Sequence, residues 1–254
     1  MKIKKITIFR IVSIIIVVIS LSYIVFWCSE NINTKKTIKK VYKYAYIDLN
    51  TSDIAAKKEL PSGKTINLPE KKIDFNKLHT KYSSAKAWIK INNTNVDFPL
   101  VQGIDNAFYL NHSINNSFST AGWPFIDYRN NIDFTDTNTV IYGHNRLDDS
   151  MFGSLTNCIK KQWYLNDDNK YIFLNTKEEA LVYEIFSIYE IPAETYFSTV
   201  NFKHSGEYTK FLTTILNRSM YNFNVPVNAS DKLLTVSTCS NNLRNRIVIH
   251  AKKI

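Results

Sequence analysis

Cys239 closes the segment "LLTVSTC" (233–239), and His144 and Arg246 stand at comparable places in two other apolar segments. A cysteine does nucleophilic chemistry when one group stabilises its thiolate and another manages the proton of the leaving atom. Alternation with a period of two puts Leu234 and Val236 on one face of the first segment and Thr235, Ser237 and Cys239 on the other. The thiol therefore points the way the polar residues point. His144 follows "TVIYG" (139–143) directly, so it too sits where a strand ends. "RIVIHA" begins seven residues after Cys239, a length that allows a tight hairpin, and an antiparallel pair would set Arg246 beside the cysteine. A guanidinium there offers N–H donors to a developing oxyanion and support to a thiolate. Arg244, in the turn, is the less constrained alternative.

The other titratable candidates read as structural. His250 lies inside the last strand, alternating with Arg246 and Val248, and reads as a sheet-surface residue; His79, His112 and His204 lie in polar lead-in or loop surroundings with no matching strand end. The three cysteines, Cys28, Cys158 and Cys239, form no closed disulfide framework and none pairs at metal-ligand spacing. Cys158 reads as helix packing, because Met151, Phe152, Leu155 and Ile159 repeat at helical spacing, and Cys28 as an inert residue at a membrane boundary.

The elements that must position the three residues are short runs rich in Val, Ile, Tyr, Phe and Thr at 87–91, 96–101, 139–143, 170–174, 180–191, 232–239 and 246–251. Two stretches carry helical spacing instead: 151–159, and "SGEYTKFLTTILNRS" (205–219), where Ser205 is the expected cap and Glu207 suits the first turn. Seven or more strands with inserted helices predict a mainly β fold, a closed or nearly closed barrel of about eight strands. A helical lead-in is expected over 73–82.

Charge points to a membrane rather than to nucleic acid. Residues 1–43 carry nine Lys and Arg against Glu30 alone, a net of +8 out of +10 for the chain, and so the folded part carries almost none. Between these basic residues lies "IVSIIIVVISLSYIVFWCS" (11–29), without charge, proline or glycine and long enough at about 1.5 Å per residue to cross the hydrocarbon core. It is too long for a cleaved signal and ends in bulky Phe26-Trp27-Cys28, so an uncleaved signal anchor is expected. The reading divides the chain into a cytoplasmic tail (1–10), a transmembrane anchor (11–29), a stalk with helical lead-in (30–82) and a catalytic barrel (83–254) outside the cell.

"TVSTC" followed by an Arg-Ile-Val-Ile strand, with "YGHN" upstream, resembles the sortases, membrane-anchored cysteine transpeptidases of Gram-positive bacteria. Class B is most similar, through "AWIKINNTNVDFPLVQGIDNAFYLNHSINNSFSTAGWPFIDYRNN" and "MFGSL" after the histidine. The resemblance implies Cys239 as nucleophile, His144 as proton donor and acceptor, and Arg246 as the arginine, because it immediately precedes "IVI". It implies substrate contacts at Asn106, Leu110, Tyr196, Phe197 and Ser237. It also implies partners: surface proteins bearing a C-terminal sorting signal of Asn-Pro-x-Thr-Asn or Asn-Pro-x-Thr-Gly type, a peptidoglycan precursor amine and the membrane, but no nucleic acid. No cofactor or metal is implied, and no acidic cluster suggests calcium. Two departures stand out: valine replaces leucine in the "TLSTC" pattern, and Ser240 stands where an acid is often found. A cysteine protease releasing product to water, and a non-catalytic cell-surface binding module, are the competing functions.

Overall fold

A computed structural model describes residues 2–46, 57–60, 63–69, 72–192, 194–239 and 245–254, with the side chains of residues 2–7 and of Cys239 outside the description. The chain forms two compact units, dividing after Tyr42.

The first unit is helix α1 (Lys2–Ala45, whose last turn belongs to the second unit). Its apolar side chains from Ile8 to Trp27 are largely exposed, Val25 by 68%, which in water would be a large uncompensated cost. The hydroxyls of Ser13, Ser20 and Ser22 donate to the carbonyls four residues back, so these three polar groups are paired within the helix itself. The helix is long and apolar enough to cross a membrane. It also runs on to Ala45, so the first part of the expected stalk is helix.

The second unit is a closed barrel. Two short strands, β1 (Lys57–Glu59) and β2 (Thr65–Asn67), pair outside it, and α2 (Phe75–Lys81), the expected lead-in, is capped by the Asp74 carboxylate accepting from the Lys77 amide. The barrel strands are β3 (Ala85–Ile91), β4 (Asp97–Gln102), β5 (Phe125–Ile126), β6 (Asn138–Gly143), β7 (Tyr171–Asn175), β8 (Ala180–Pro192), β9 (Leu233–Cys239) and β10 (Asn245–Lys253). A single four-residue helix, α3 (Lys161–Tyr164), precedes β7, and α4 (Ser205–Asn217) joins β8 to β9. Around the wall the order is β10-β8-β7-β3-β4-β5-β6-β9, with β4–β5 and β6–β9 parallel and the rest antiparallel.

Alternation fills the interior. Ile89 and Ile91, Ile141, Leu234 and Val236, and Ile247 and Ile249 belong to one buried cluster inside the barrel. The outer face of β8–β10 is not bare either, because α4 lays Tyr208, Phe211, Leu212 and Ile215 over Phe186, Tyr189 and Val248.

Three expectations change here. The stretch 151–159 is not a regular helix: a 3₁₀ turn at Gly153–Asn157 breaks it, with Met151 at φ 52° before it. Gly153 meets the Arg146 backbone too closely for a side chain, so the segment is shaped by that contact. Cys158 is nonetheless buried in the core as expected. The cap of α4 is His204, whose Nδ1 accepts from the Glu207 amide at 3.1 Å, one residue earlier than the expected Ser205. His250 is wholly buried rather than on the sheet surface, because α4 roofs the face that alternation alone left open.

Candidate active site

Three adjacent wall strands carry the candidate residues to one rim. In the parallel pair β6–β9, Gly143 stands opposite Thr238, so the next residues, His144 and Cys239, leave their strands side by side. In the antiparallel pair β9–β10, Arg246 stands opposite Cys239. Neighbouring strands lie about 4.8 Å apart, so the cysteine has the histidine's strand on one side and the arginine's on the other. Arg244 and Ser240 lie outside the described residues.

His144 is fixed by its surroundings. Its Nε2 lies 2.6 Å from the Leu110 carbonyl oxygen. A carbonyl only accepts, so Nε2 carries the proton and Nδ1 is the nitrogen left to exchange one. The 3₁₀ turn Phe108–Leu110 presents that carbonyl, and Gly122 packs beneath it at φ 58°. A Cβ on Gly122 would lie 2.5 and 2.7 Å from the Tyr109 and Leu110 carbonyl oxygens and 3.0 Å from the His144 ring, so only glycine fits. Gly143 is equally constrained, since a Cβ there would lie 2.5 Å from the Phe152 ring, while the Phe152 amide donates to the His144 carbonyl at 3.0 Å.

Beside the cysteine's strand end a groove of about 360 Å³ opens, lined by Asn106, Leu110, His144, Phe197, Ser237 and Arg246 among others. Arg246 Nε and Ser237 Oγ are both buried and lack a hydrogen-bond partner among the described residues. A buried unpaired donor of this kind costs free energy until something accepts from it. The two atoms are therefore ready for an acceptor brought into the groove.

Asp127, wholly buried, organises the groove's other side. It accepts from Asn106 Nδ2 at 2.9 Å, from the Tyr142 hydroxyl at 3.0 Å, and from Arg129 through Nε at 2.8 Å and Nη2 at 2.7 Å. Burial works to raise its pKa, but the Arg129, Asn106 and Tyr142 donors outweigh it and hold the carboxyl below the usual carboxylate range. Burial and then the Asp127 charge push Tyr142 up to about 12. Arg129 Nη2 also donates to the Ser198 carbonyl at 2.8 Å, so one carboxylate ties together three separate stretches of the groove wall.

A family model described as the sortase domain matches residues 89–254. The chain belongs to the sortase family. Sortase B of Listeria monocytogenes is 34% identical to this sortase over 171 residues, 66% of this chain and 68% of that one. The crystal structure of Clostridium perfringens sortase B superposes with a TM-score of 0.66 at 34% identity, covering 71% of this chain and all of that one. A Staphylococcus aureus sortase B–substrate complex superposes at 0.65 with 30% identity, covering 71% and 84%. The sortase is a cysteine transpeptidase of the B type.

Of the residues expected to touch substrate, the sortase brings Asn106, Leu110, Phe197 and Ser237 to the groove. Tyr196 is not among its lining residues. Its ring lies against the Arg218 guanidinium, 4.7 Å from the ring centre, and its hydroxyl donates to Tyr189 at 3.0 Å. Tyr142, Glu194, Thr195 and Ser198 line the groove and were missed. The run "ETYFS" between β8 and α4 held the signal, since a polar loop adjoining the expected Phe197 contact must share its wall. The remaining histidines have other partners: His79 bonds the Ala85 carbonyl, His112 bonds the Phe108 carbonyl and stacks on its ring, and His204 caps α4. Among the described residues no group of three or more metal-ligating side chains occurs.

Proposed function

We propose that this sortase cleaves a short C-terminal sorting signal after its threonine and joins the new carboxyl end to a cell-wall amine. The observation that carries the residue assignment is the register of three adjacent strands, with Cys239 opposite Arg246 and next in line beside His144. In this reading the Cys239 thiolate attacks the threonine carbonyl, and the oxyanion accepts from Arg246, whose Nε is buried with no partner among the described residues. Collapse breaks the peptide bond and leaves a thioester, while Nδ1 of the His144 imidazolium gives its proton to the departing amine. An amine of a peptidoglycan precursor then attacks the thioester, His144 Nδ1 takes the excess proton, and the amide product leaves a thiolate and an imidazolium as at the start.

Sorting signals of Asn-Pro-x-Thr-Asn or Asn-Pro-x-Thr-Gly type are the substrates this reading favours. Two similar sortase B structures, that of S. aureus with a substrate and another with triglycine, support a peptide donor and an amine acceptor. Residues 11–29 cross the membrane, residues 1–10 stay in the cytoplasm, and the barrel of residues 83–254 works outside, held by the 30–82 stretch. Basic residues flank the span on both sides, Lys2, Lys4, Lys5 and Arg10 before it and Lys35, Lys36, Lys39, Lys40 and Lys43 after it, so charge alone favours neither direction; the short N-terminal tail and the sortase family's work outside the cell support this orientation.

A panel of fluorogenic pentapeptides, with and without triglycine, tests the function on the full-length protein in detergent micelles. A new amide product is expected only when the amine is present, and free acid without it. Wild-type turnover by Cys239→Ala or His144→Ala would overturn the residue assignment, and free acid alone in both cases would make the enzyme a protease.

A further inference from the structure

Behind the groove wall lies a chain of buried polar groups that the reaction does not use. Asn138 donates through Nδ2 to the Thr199 carbonyl at 2.9 Å and to the Phe197 carbonyl at 3.4 Å. Its Oδ1 then faces Thr235, whose hydroxyl donates to it at 2.7 Å. With that proton committed, Thr235 Oγ1 receives at 2.8 Å, so Nδ1 of His250 carries the hydrogen. Nε2 of His250 is therefore the acceptor for the Tyr189 hydroxyl at 2.8 Å, and Tyr189 in turn accepts from Tyr196 at 3.0 Å. Asn138, Thr235 and His250 are wholly buried and Tyr189 nearly so. Every proton in the chain runs in a consistent direction, and both ends return to the same short segment, Tyr196 at one and Thr199 at the other. Phe197 and Ser198, between those ends, line the groove. Burial lowers the His250 pKa to about 3, which keeps the ring neutral and the order of donors intact.

We propose that His250 is a positioning residue, holding the 196–199 wall of the groove in place by linking hydrogen bonds to its two ends through one buried chain. The proposal rests on that wall being part of the sorting-signal site. Rigid side-chain networks of this kind hold binding groups in register and lower the ordering cost of capture. The cationic form of His250 would set a second donor against Tyr189 and break the chain, and the opposite neutral tautomer would leave two acceptors facing Thr235.

Full-length protein selectively ¹⁵N-labelled at histidine gives the first measurement. His250 should show a protonated Nδ1 and an unprotonated Nε2; a protonated Nε2 would overturn the chain as drawn. Tyr196→Phe and Thr235→Val each remove one hydroxyl from the chain without changing shape. Tyr196→Phe should raise KM for a sorting-signal peptide about three- to tenfold, the loss of one net hydrogen bond, and Thr235→Val, which loses two, at least as much, with kcat changed far less in both. Each should also speed amide exchange at Ser198 and Thr199, whose amides donate to the Thr195 and Tyr196 carbonyls. Ser187→Ala is the control: Ser187 is equally buried and stands opposite His250 in the β8–β10 ladder, but its hydroxyl bonds the Ile215 carbonyl and no member of the chain, so it should lose stability without moving KM or that exchange. Unchanged KM and exchange in both link variants, or an equal rise of KM in Ser187→Ala, would overturn the proposal. If the wild type cleaves no sorting signal, the functional reading fails alone, and the tautomer and exchange still decide the chain.

Discussion

Arg246 pairs with Cys239 across the β9–β10 ladder, and its Nε is buried without a partner among the described residues. Losing one such donor to a developing oxyanion typically costs about 100- to 1,000-fold in kcat. Arg246→Ala should show a loss of that order in single-turnover acylation. Arg246→Lys keeps the charge but not the planar fork, and it should stay well below wild type. Arg244→Ala should be close to wild type, and a large loss there with near-normal Arg246→Lys would move the role to Arg244.

Gly122 sits at φ 58° under Leu110 and His144, with no room for a Cβ. Gly122→Ala should push the Leu110 carbonyl away from His144 and destabilise the fold by about 1 to 3 kcal/mol, the range for a strained backbone position. Thermal unfolding reads the stability, and kcat should fall more than the unfolded fraction explains at the assay temperature. An unshifted melting temperature with normal kcat would show that the close approach does not matter.

Asp127 is held below the usual carboxylate range, so its contribution to stability is present above the unfolded-state pKa of about 3.9 and fades as pH falls through the folded value. Asp127→Asn should cost about 2 to 3 kcal/mol near neutrality, at the lower side of broken buried pairs because the Arg129 side chain is 42% exposed and can rehydrate. Denaturant titrations at pH 7 and below pH 4 check this: the gap between wild type and variant should narrow in acid. A gap that widens in acid would contradict the sign.

Burial pushes the Cys158 thiol strongly up, while Cys28 lies exposed on α1. In a Cys28→Ala background an alkylating reagent should therefore label Cys239 in the native protein and Cys158 only after unfolding. Native labelling that persists in Cys28→Ala/Cys239→Ala would show that Cys158 is reachable.

Much of this site was legible in the sequence because strand ends announce themselves. "TVIYGH" and "RIVI" are apolar runs that end or begin on a charged or titratable residue, "LLTVSTC" alternates apolar and polar residues up to its cysteine, and hydrogen-bond register then brings their ends together. β5 was not legible, since Phe125–Ile126 is too short for any period to show. The stretch 151–159 has helical spacing, but the contact of Gly153 with the Arg146 backbone overrides it. His250 looked exposed because alternation reports which face a residue is on and not what covers that face; the roof, α4, comes from a separate segment. Tyr196 was expected in the groove on resemblance, and its neighbours Arg218 and Tyr189 come from elements that a local motif does not contain.

The proposed chemistry stands or falls on Cys239 carrying the acyl group. Full-length enzyme mixed with a sorting-signal peptide and quenched in acid, then digested for mass spectrometry, should show one thioester-linked fragment on the Cys239 peptide, and adding triglycine should discharge it into a new amide. Product formation by Cys239→Ala at the wild-type rate, or an adduct on any other residue that triglycine discharges equally, would contradict it.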